Sequence, residues 1–476
     1  MAPGHSSMAE ERSDAATSPG DPADPQARRL FAEATAHFEA RRYAEADECA
    51  RQALAHRPDD RQIWNARGVF LRSDRKIDAA IACYRQALEL APDHAGAWSN
   101  LGNALKDAKH VELALACHGR AIALAPRNAD FPFNLGIALT AGGRHREALD
   151  AFDNALALRP TDAKFRWNRG LAHLHLGDLA RGWPDYDARI DTGQLPKRDL
   201  PGRRWRGESY AGQSLFIAAE QGFGDALWAA RYLAAAKSRG GELILECRPE
   251  LIPLMEAVGI ADRIVPRYTA FPGAAWHCYQ NSLPGIFTPS FAAIPPAPYL
   301  AAPPARRSKF DAVIERAQQR LKVGIVWSGS TTFATNHDRA VPLTRFLRAF
   351  SLPGVQLYSL QKGPRAAELT ALSDASIIDL DPLIDDFADT AAALACLDLV
   401  IMTDSAVGHL AGALGRPVWL LLNHVPYWLW STERTDSPWY PSMRLFRPRC
   451  WGDWDGVFDA AGAALLALTR KDGVTG

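Results

Sequence analysis

The chain has 476 residues, with 54 Lys plus Arg against 54 Asp plus Glu, and 47% of it is hydrophobic. That length exceeds what one hydrophobic core holds, so two or three domains are expected. The even charge balance removes any global electrostatic case for nucleic acid or an anionic membrane as partner, and no apolar run reaches the length of a membrane-spanning helix. Residues 1–26 are rich in Ala, Ser, Pro and Asp and lack the charged-then-apolar pattern of a signal peptide. They read as a disordered leader, with the cytoplasm as the expected compartment.

From about residue 27 the chain repeats itself. Proline recurs at 58, 92, 126 and 160, a spacing of 34 residues. Gly68, Gly102, Gly136 and Gly170 keep the same phase, as do Ala46, Ala80, Ala114 and Ala148, and Ala53, Ala87, Ala121 and Ala155. Small residues at fixed places let paired helices approach closely, and proline stops the second helix of each unit. Trp64 and Trp98 occupy an aromatic column, with Leu101 and Leu135 beside the glycine. The pattern resembles the tetratricopeptide repeat. It predicts an all-α solenoid over residues 27–190, with a decayed fifth copy after Pro160.

Asn100, Asn134 and Asn168 form one more column, on the first helix of each unit. A primary amide offers one acceptor and two donors, so a ladder of them can clamp an extended peptide backbone. The arrangement is similar to the asparagine ladder in the repeats of O-GlcNAc transferases. The alternative is that these amides bond locally. Asn65 stands one place out of step, so any clamp is short. Cys49, Cys83 and Cys117 keep the period too, but without a CxxC pair they read as small packing residues, not metal ligands.

Residues 191–213 read as a polar linker, and the grammar then changes. Ser214–Ala218, Glu242–Glu246 and Ile264–Pro266 read as strands, with helices over 225–236 and 249–258. After a Pro-rich stretch, a second set follows at 322–327, 355–360, 376–379, 399–403 and 418–422. This is the βαβ alternation of a doubly wound parallel sheet, written twice. The expected domains are 214–304 and 305–455, with a final helix and tail over 456–476. Of the 14 tryptophans, six lie between Trp419 and Trp454. Most of these are expected in the core, with stacking on a sugar or base as the other reading.

The densest motif is Leu399-Val-Ile-Met-Thr-Asp404-Ser405-Ala-Val-Gly408-His409, closed by Gly415-Arg-Pro417. A buried strand turns into a helix, whose free N–H groups and dipole favour an anion. A bare helix cap by Asp404 or Ser405 is the competing reading. This stretch resembles the donor-binding motif of bacterial heptosyltransferase-like glycosyltransferases with the GT-B fold. The resemblance covers about residues 213–470. It implies that Asp404, Ser405, Gly408 and His409 receive the diphosphate of a nucleotide sugar. It also implies that Asp225, in Glu220-Gln-Gly222-Phe-Gly224-Asp225, is the general base, with Glu220 as a second candidate. Ser328, Gly329 and Ser330 at a strand end suit phosphate oxygens, and Arg339 suits a leaving diphosphate. Gln361 and Lys362 stand where that family more often shows an acid that holds the ribose. Enzymes of this kind generally use cationic side chains and a helix dipole, so neither metal nor cofactor is expected beside the nucleotide-sugar co-substrate. The two DxD pairs, Asp379-Leu-Asp381 and Asp453-Trp-Asp455, are short enough to arise by chance.

Together these readings imply a glycosyltransferase whose repeats recruit a protein acceptor; that this is a flagellin or another surface protein is what a resemblance to bacterial repeat-bearing protein O-glycosyltransferases implies. Two alternatives stand beside it. One is a lipopolysaccharide or exopolysaccharide enzyme of the heptosyltransferase kind. The other is a repeat scaffold with a degenerate transferase domain.

Overall fold

The computed structural model describes residues 24–220, 222–269, 273–314, 320–330, 336–372 and 377–471. Residues 1–23 of the expected leader, Gln221 of the glycine loop, Ser376 at the start of an expected strand and residues 472–476 of the tail lie outside them. The chain divides into two compact units between Leu176 and Gly177.

The N-terminal unit is helical: α1 (Pro25–Glu39), α2 (Tyr43–His56), α3 (Arg61–Ser73), α4 (Ile77–Leu90), α5 (Ala95–Asp107), α6 (Val111–Leu124), α7 (Asp130–Ala141), α8 (His145–Leu158) and α9 (Ala163–His175). They pack as consecutive pairs. The glycine column exists because the second helix of each pair lays a large ring on it. A Cβ at Gly68 would sit 2.5 Å from Tyr84, at Gly102 2.8 Å from His118, and at Gly136 2.4 Å from Phe152. The two alanine columns are fully buried. Trp64 and Trp98 donate their indole N–H to the carbonyls of Pro58 and Pro92 at 2.8 and 2.9 Å. Each aromatic thus clips its unit to the proline turn before it. A column not read from the sequence also emerges. Arg41, Arg75, Lys109 and Gly143, again one repeat apart, take φ values of 58, 64, 66 and 76° and turn the chain between paired helices. The non-glycine members accept a left-handed backbone that the fold imposes.

By its packing the C-terminal unit begins at Gly177. Helix α10 (Leu179–Tyr186), within the span that the sequence reads as a decayed repeat copy, packs in it. Trp183 donates to the Thr288 carbonyl at 2.8 Å and meets Trp428 edge to face at 5.4 Å. The expected linker is also partly structured. It contributes β1 (Arg203–Arg204) and buries Trp205. Trp183, Tyr186 and Trp205 are large aromatics that need a core, and this unit supplies it.

Next come β2 (Ser214–Ala218), α11 (Phe223–Ala229), α12 (Leu233–Lys237), β3 (Glu242–Cys247), α13 (Ile252–Val258), β4 (Arg263–Pro266), β5 (Trp276–Tyr279), α14 (Leu283–Phe287) and α15 (Pro304–Ile314). The second set is β6 (Leu321–Val326), α16 (Leu343–Phe350), β7 (Val355–Ser359), α17 (Ala367–Ala371), β8 (Ile377–Asp379), α18 (Phe387–Ala395), β9 (Leu399–Thr403), α19 (Ala406–Ala413), β10 (Val418–Leu421), β11 (Met443–Phe446) and α20 (Trp454–Lys471). The strands form two sheets, ordered β1-β5-β2-β3-β4 and β11-β10-β9-β6-β7-β8. Every ladder between these strands is parallel. Their central strands are near-continuous apolar runs, as burial on both faces requires. Strands β5 and β11 were not expected from the sequence. Helix α20 packs Val457, Phe458, Ala461 and Leu465 into the core of the second sheet. Trp428, Trp430 and Trp439 are buried, as a core role requires. No described helix is long and apolar enough to cross a membrane.

The glycine column gives a direct test. Gly136→Ala gains about 1 kcal/mol of helix propensity but drives a methyl into Phe152, an overpacking worth roughly 1–3 kcal/mol. The variant should therefore lose stability, as read from denaturant unfolding followed by far-UV circular dichroism. A gain in stability would mean that the helix pair is looser than it stands here.

Candidate functional site

In a parallel sheet, ligand crevices lie outside the carboxyl ends of the two strands between which the order reverses. In the second sheet those strands are β6 and β9, and in the first they are β2 and β5. The Glu220–Asp225, Ser328–Ser330 and Asp404–His409 motifs fall at the ends of β2, β6 and β9, and Gln361 and Lys362 follow β7.

At the end of β9, Asp404 is buried and accepts from Arg339 Nη1 at 3.3 Å. Arg339 itself is mostly buried and reaches across from the loop after β6. Helix α19 begins after Ser405, whose side chain makes no capping hydrogen bond. Ser405 Oγ, Thr403 Oγ1 and Asn336 Oδ1 are all buried with no hydrogen-bond partner. Buried polar atoms are rarely left this way, and a cluster of them at a strand-end crevice marks a place where a polar ligand or ordered water completes the bonding. Gly329 keeps the loop close: a Cβ there would sit 3.1 Å from both Arg339 Nη2 and Asn336 Oδ1. Ser328 is buried, and its Oγ accepts from Asn336 Nδ2 at 3.1 Å, while Ser330 is exposed.

Two of the expected nucleotide contacts are occupied otherwise. Gln361 is buried. Its Oε1 accepts from the N–H groups of Trp327 and Ser328 at 3.1 and 2.9 Å, and its Nε2 donates to the Ser328 and Lys362 carbonyls. An amide with both ends spent on backbone shapes the loop and does not read a base or ribose. Lys362 pairs with Asp381 and donates to the Ile384 carbonyl at 2.6 Å. The other DxD pair is structural as well, since Asp453 accepts from the Gly456 N–H near the start of α20.

His409 lies in α19 and is buried, with Nδ1 3.0 Å from the Tyr440 hydroxyl and its ring 5.1 Å from that of Trp430. Burial pushes its pKa down to about 4. At neutral pH it is a neutral imidazole, which orients by hydrogen bonding and does not add a cation. Its ring also meets α11: a Cβ on Gly224 would come 2.8 Å from His409 Cδ2. Gly408, buried in the same turn, keeps α19 close to Met402.

At the other crevice, Asp225 sits in the first turn of α11. Its carboxylate folds back over Gly222, where a Cβ would meet Oδ2 at 2.5 Å. Burial, then the charge of Glu220, and also that of Asp404, raise its pKa to about 6, against the lowering effect of Arg189. Glu220, the second candidate base, is committed elsewhere. It is buried, and its oxygens accept from Arg189 Nη2 and Nε at 2.7 and 2.9 Å and from the Asn281 N–H at 2.9 Å. Both of its oxygens are thus held by protein donors. The two halves of this unit also meet directly. Phe223 stacks near Phe387 at 4.9 Å, and buried Arg231 donates to the Trp439 carbonyl at 3.0 Å with Tyr299 and Tyr440 against its guanidinium. Arg189, Asn281 and Arg231 were not singled out from the sequence, and they carry no local motif that would have marked them.

In the repeat unit, Asn100 Nδ2 donates to Asn65 Oδ1 and Asn134 Nδ2 to Ser99 Oγ, both at 3.1 Å, and Asn168 Nδ2 donates to the Lys164 carbonyl at 2.8 Å. The first two bonds link first helices of neighbouring units. The out-of-step Asn65 thereby becomes part of the ladder.

The uncapped start of α19 is testable by stability alone. A capping serine costs about 1 kcal/mol when cut to alanine. Ser405→Ala removes a buried hydroxyl that bonds nothing, so unfolding free energy should change by less than about 0.5 kcal/mol or rise slightly. A loss of a full cap's worth in chemical denaturation would return Ser405 to a capping role.

Residues 31–95, 71–129, 99–163 and 133–193 each match the tetratricopeptide repeat family model. The chain is similar to Protein FlbA of Caulobacter vibrioides (strain ATCC 19089 / CIP 103742 / CB 15), 28% identical over 319 residues, which is 61% of this chain and 53% of that protein. The chain thus spans about half the length of the curated relative it matches. Among solved structures it resembles a crystal structure of MamA protein, at 18% identity and a TM-score of 0.32 over 37% of this chain and 98% of that one. It also resembles MamA 41-end from Desulfovibrio magneticus RS-1, at 19% identity and a TM-score of 0.31 over 36% of this chain and 94% of that one. The N-terminal unit is thus a tetratricopeptide repeat array, the kind of surface that binds protein partners.

Proposed function

We propose that the C-terminal unit is a GT-B-type glycosyltransferase that moves a sugar from a nucleotide-sugar donor to a hydroxyl of a polypeptide recruited by the repeats. The observation that carries this reading is the uncapped start of α19 at the β6/β9 reversal, with Arg339 beside it and the Asp225 carboxyl in the adjoining half. A helix start with unspent N–H groups suits the donor's diphosphate. Ser405, Thr403 and Asn336 supply unpartnered polar atoms there. The acceptor hydroxyl gives its proton to Asp225 as its oxygen bonds to the anomeric carbon. The bond from that carbon to the diphosphate oxygen breaks, and the charge released develops beside Arg339 and the α19 N–H groups. A carboxyl raised to about 6 is a stronger base than a free aspartate and is still ionised at neutral pH.

A polypeptide acceptor is favoured by the repeat array itself. Asn100, Asn134 and Asn168 each donate within the array, and their shared 34-residue phase puts one on the first helix of each successive unit.

Five measurements test the reading. Asp225→Asn should lower turnover by roughly two to four orders of magnitude with donor affinity intact. In the unaltered chain, the acid limb of kcat/KM should fall with an apparent pKa of about 6, because only ionised Asp225 accepts the proton. Near-normal turnover in the variant would remove Asp225 from the mechanism. Asp404→Ala should weaken donor binding in calorimetry while the protein stays folded, and unchanged affinity would place the donor elsewhere. Deleting residues 1–176 should abolish transfer to a protein acceptor and spare slow donor hydrolysis, whereas a cut at 190 would also remove Arg189 and α10 from the second unit. Replacing Asn100, Asn134 and Asn168 together with alanine should weaken acceptor binding about tenfold or more, at roughly 0.5–1.5 kcal/mol per lost bond. Protein transfer that survives the deletion would overturn the polypeptide-acceptor reading.

A further inference from the structure

The carboxyl end of the first sheet holds a buried ion pair that the proposed reaction does not itself use. Arg189 lies in the 3-10 turn Asp187–Asp191 and is buried. Beyond its two bonds to Glu220, it donates to Ser282 Oγ at 3.0 Å and to Asp187 Oδ1 at 2.9 Å. Asp187 also accepts from Ser282 Oγ and from Arg204 Nη2, both at 2.6 Å. Glu220 follows β2, Asn281 and Ser282 follow β5, and Arg204 is on β1. One guanidinium thus ties together the strand ends at the first sheet's order reversal.

We propose that Arg189 and Glu220 are positioning residues for Asp225: Arg189 pins the Glu220 carboxylate to the ends of β2 and β5, and that fixed charge sets the place and the electrostatic surroundings of the Asp225 carboxyl. This rests on Asp225 acting as the base. Glu220 and Asp225 are joined by one short glycine-containing segment, and the far end of that segment is held where Gly224 meets His409. Fixing Glu220 therefore fixes the remaining end. The charged and titratable groups that face Asp225 are Glu220 and Asp404, which disfavour its ionisation, and Arg189, which favours it. The buried phenols Tyr186 and Tyr427 feel its charge, and His409 across α11 is neutral at neutral pH. Burying such a pair gains little net stability over an apolar replacement, so its value lies in what the Glu220 charge does to its neighbour.

The test uses the full chain with Glu220→Gln, Arg189→Lys and the uncharged pair Arg189→Met/Glu220→Gln as a folded control. Its first arm needs no turnover. It measures the difference in unfolding free energy between each background and the same background carrying Asp225→Asn, from pH 4 to 7. Asp225 has a raised pKa in the folded state, so the folded chain binds the extra proton and the aspartate's stability relative to asparagine falls as pH rises from about 4 to about 6. Removing the Glu220 charge should move that fall to lower pH by about one unit, a tenfold change in proton concentration. The second arm is donor hydrolysis. In Glu220→Gln its acid limb should move down by the same amount. Arg189→Lys keeps the charge but loses the fork, so it should lower kcat about tenfold with the donor KM and the limb unmoved. If the first arm is unchanged by Glu220→Gln, the proposal is overturned and the pair is a structural tie alone. If the first arm moves while the unaltered chain turns over no donor, the coupling to Asp225 stands and the transferase reading falls.

Discussion

The reversal of strand order between β6 and β9 is the constraint on which the candidate site depends. Right-handed crossovers carry the chain from β6 to one side through β7 and β8, and from β9 to the other through β10 and β11. The loops after β6 and β9 therefore come side by side at the reversal. Arg339 and Asp404, distant in sequence, meet there at 3.3 Å. Gln361 then stiffens the first loop from beneath by bonding the backbone of Trp327 and Ser328. The first sheet repeats the arrangement with β2 and β5, and its crevice is closed at the base by Arg189.

Charge in this unit is organised by where water is excluded. Three carboxylates, Glu220, Asp225 and Asp404, stand near one another, with two guanidinium groups to offset them. Glu220 takes Arg189 and Asp404 takes Arg339. Asp225 is left as the carboxyl without a cation of its own, and burial with two like charges raises it. Two equivalent-looking acids on one loop thus diverge: one is held in an ion pair with Arg189, and the pKa of the other is raised. The direction of the divergence follows from the placement of Arg189.

The sequence made the repeat legible because a 34-residue period multiplies every weak preference by the number of copies. Its left-handed column stayed hidden, since Arg41, Arg75 and Lys109 are residues that do not advertise positive φ. Long apolar strands such as Leu399–Thr403 were readable, and so was the turn into α19. Strands β1, β5 and β11 were not. Two residues carry no period, Trp276-His-Cys-Tyr is half polar, and Met443-Arg-Leu-Phe is an edge strand with a cation in it. Asp225 and Asp404 were visible in local motifs. The Arg189–Glu220 pair was not, because a contact between residues far apart in sequence leaves no mark on either neighbourhood.

Residues 177–190 separate two properties that the earlier helices keep together. They match the repeat family, which extends to residue 193, yet their side chains pack in the C-terminal unit. A repeat helix offers small residues to its neighbours, as at Ala148 and Ala155, while α10 offers Trp183 and Tyr186. Trp183 packs against Trp228 and Trp428, in a core that Trp439 also enters. Packing partners, not periodicity, place α10 with the C-terminal unit. The same step carries Arg189 to the end of the first sheet, so the segment that ends the repeat in sequence completes the crevice in space.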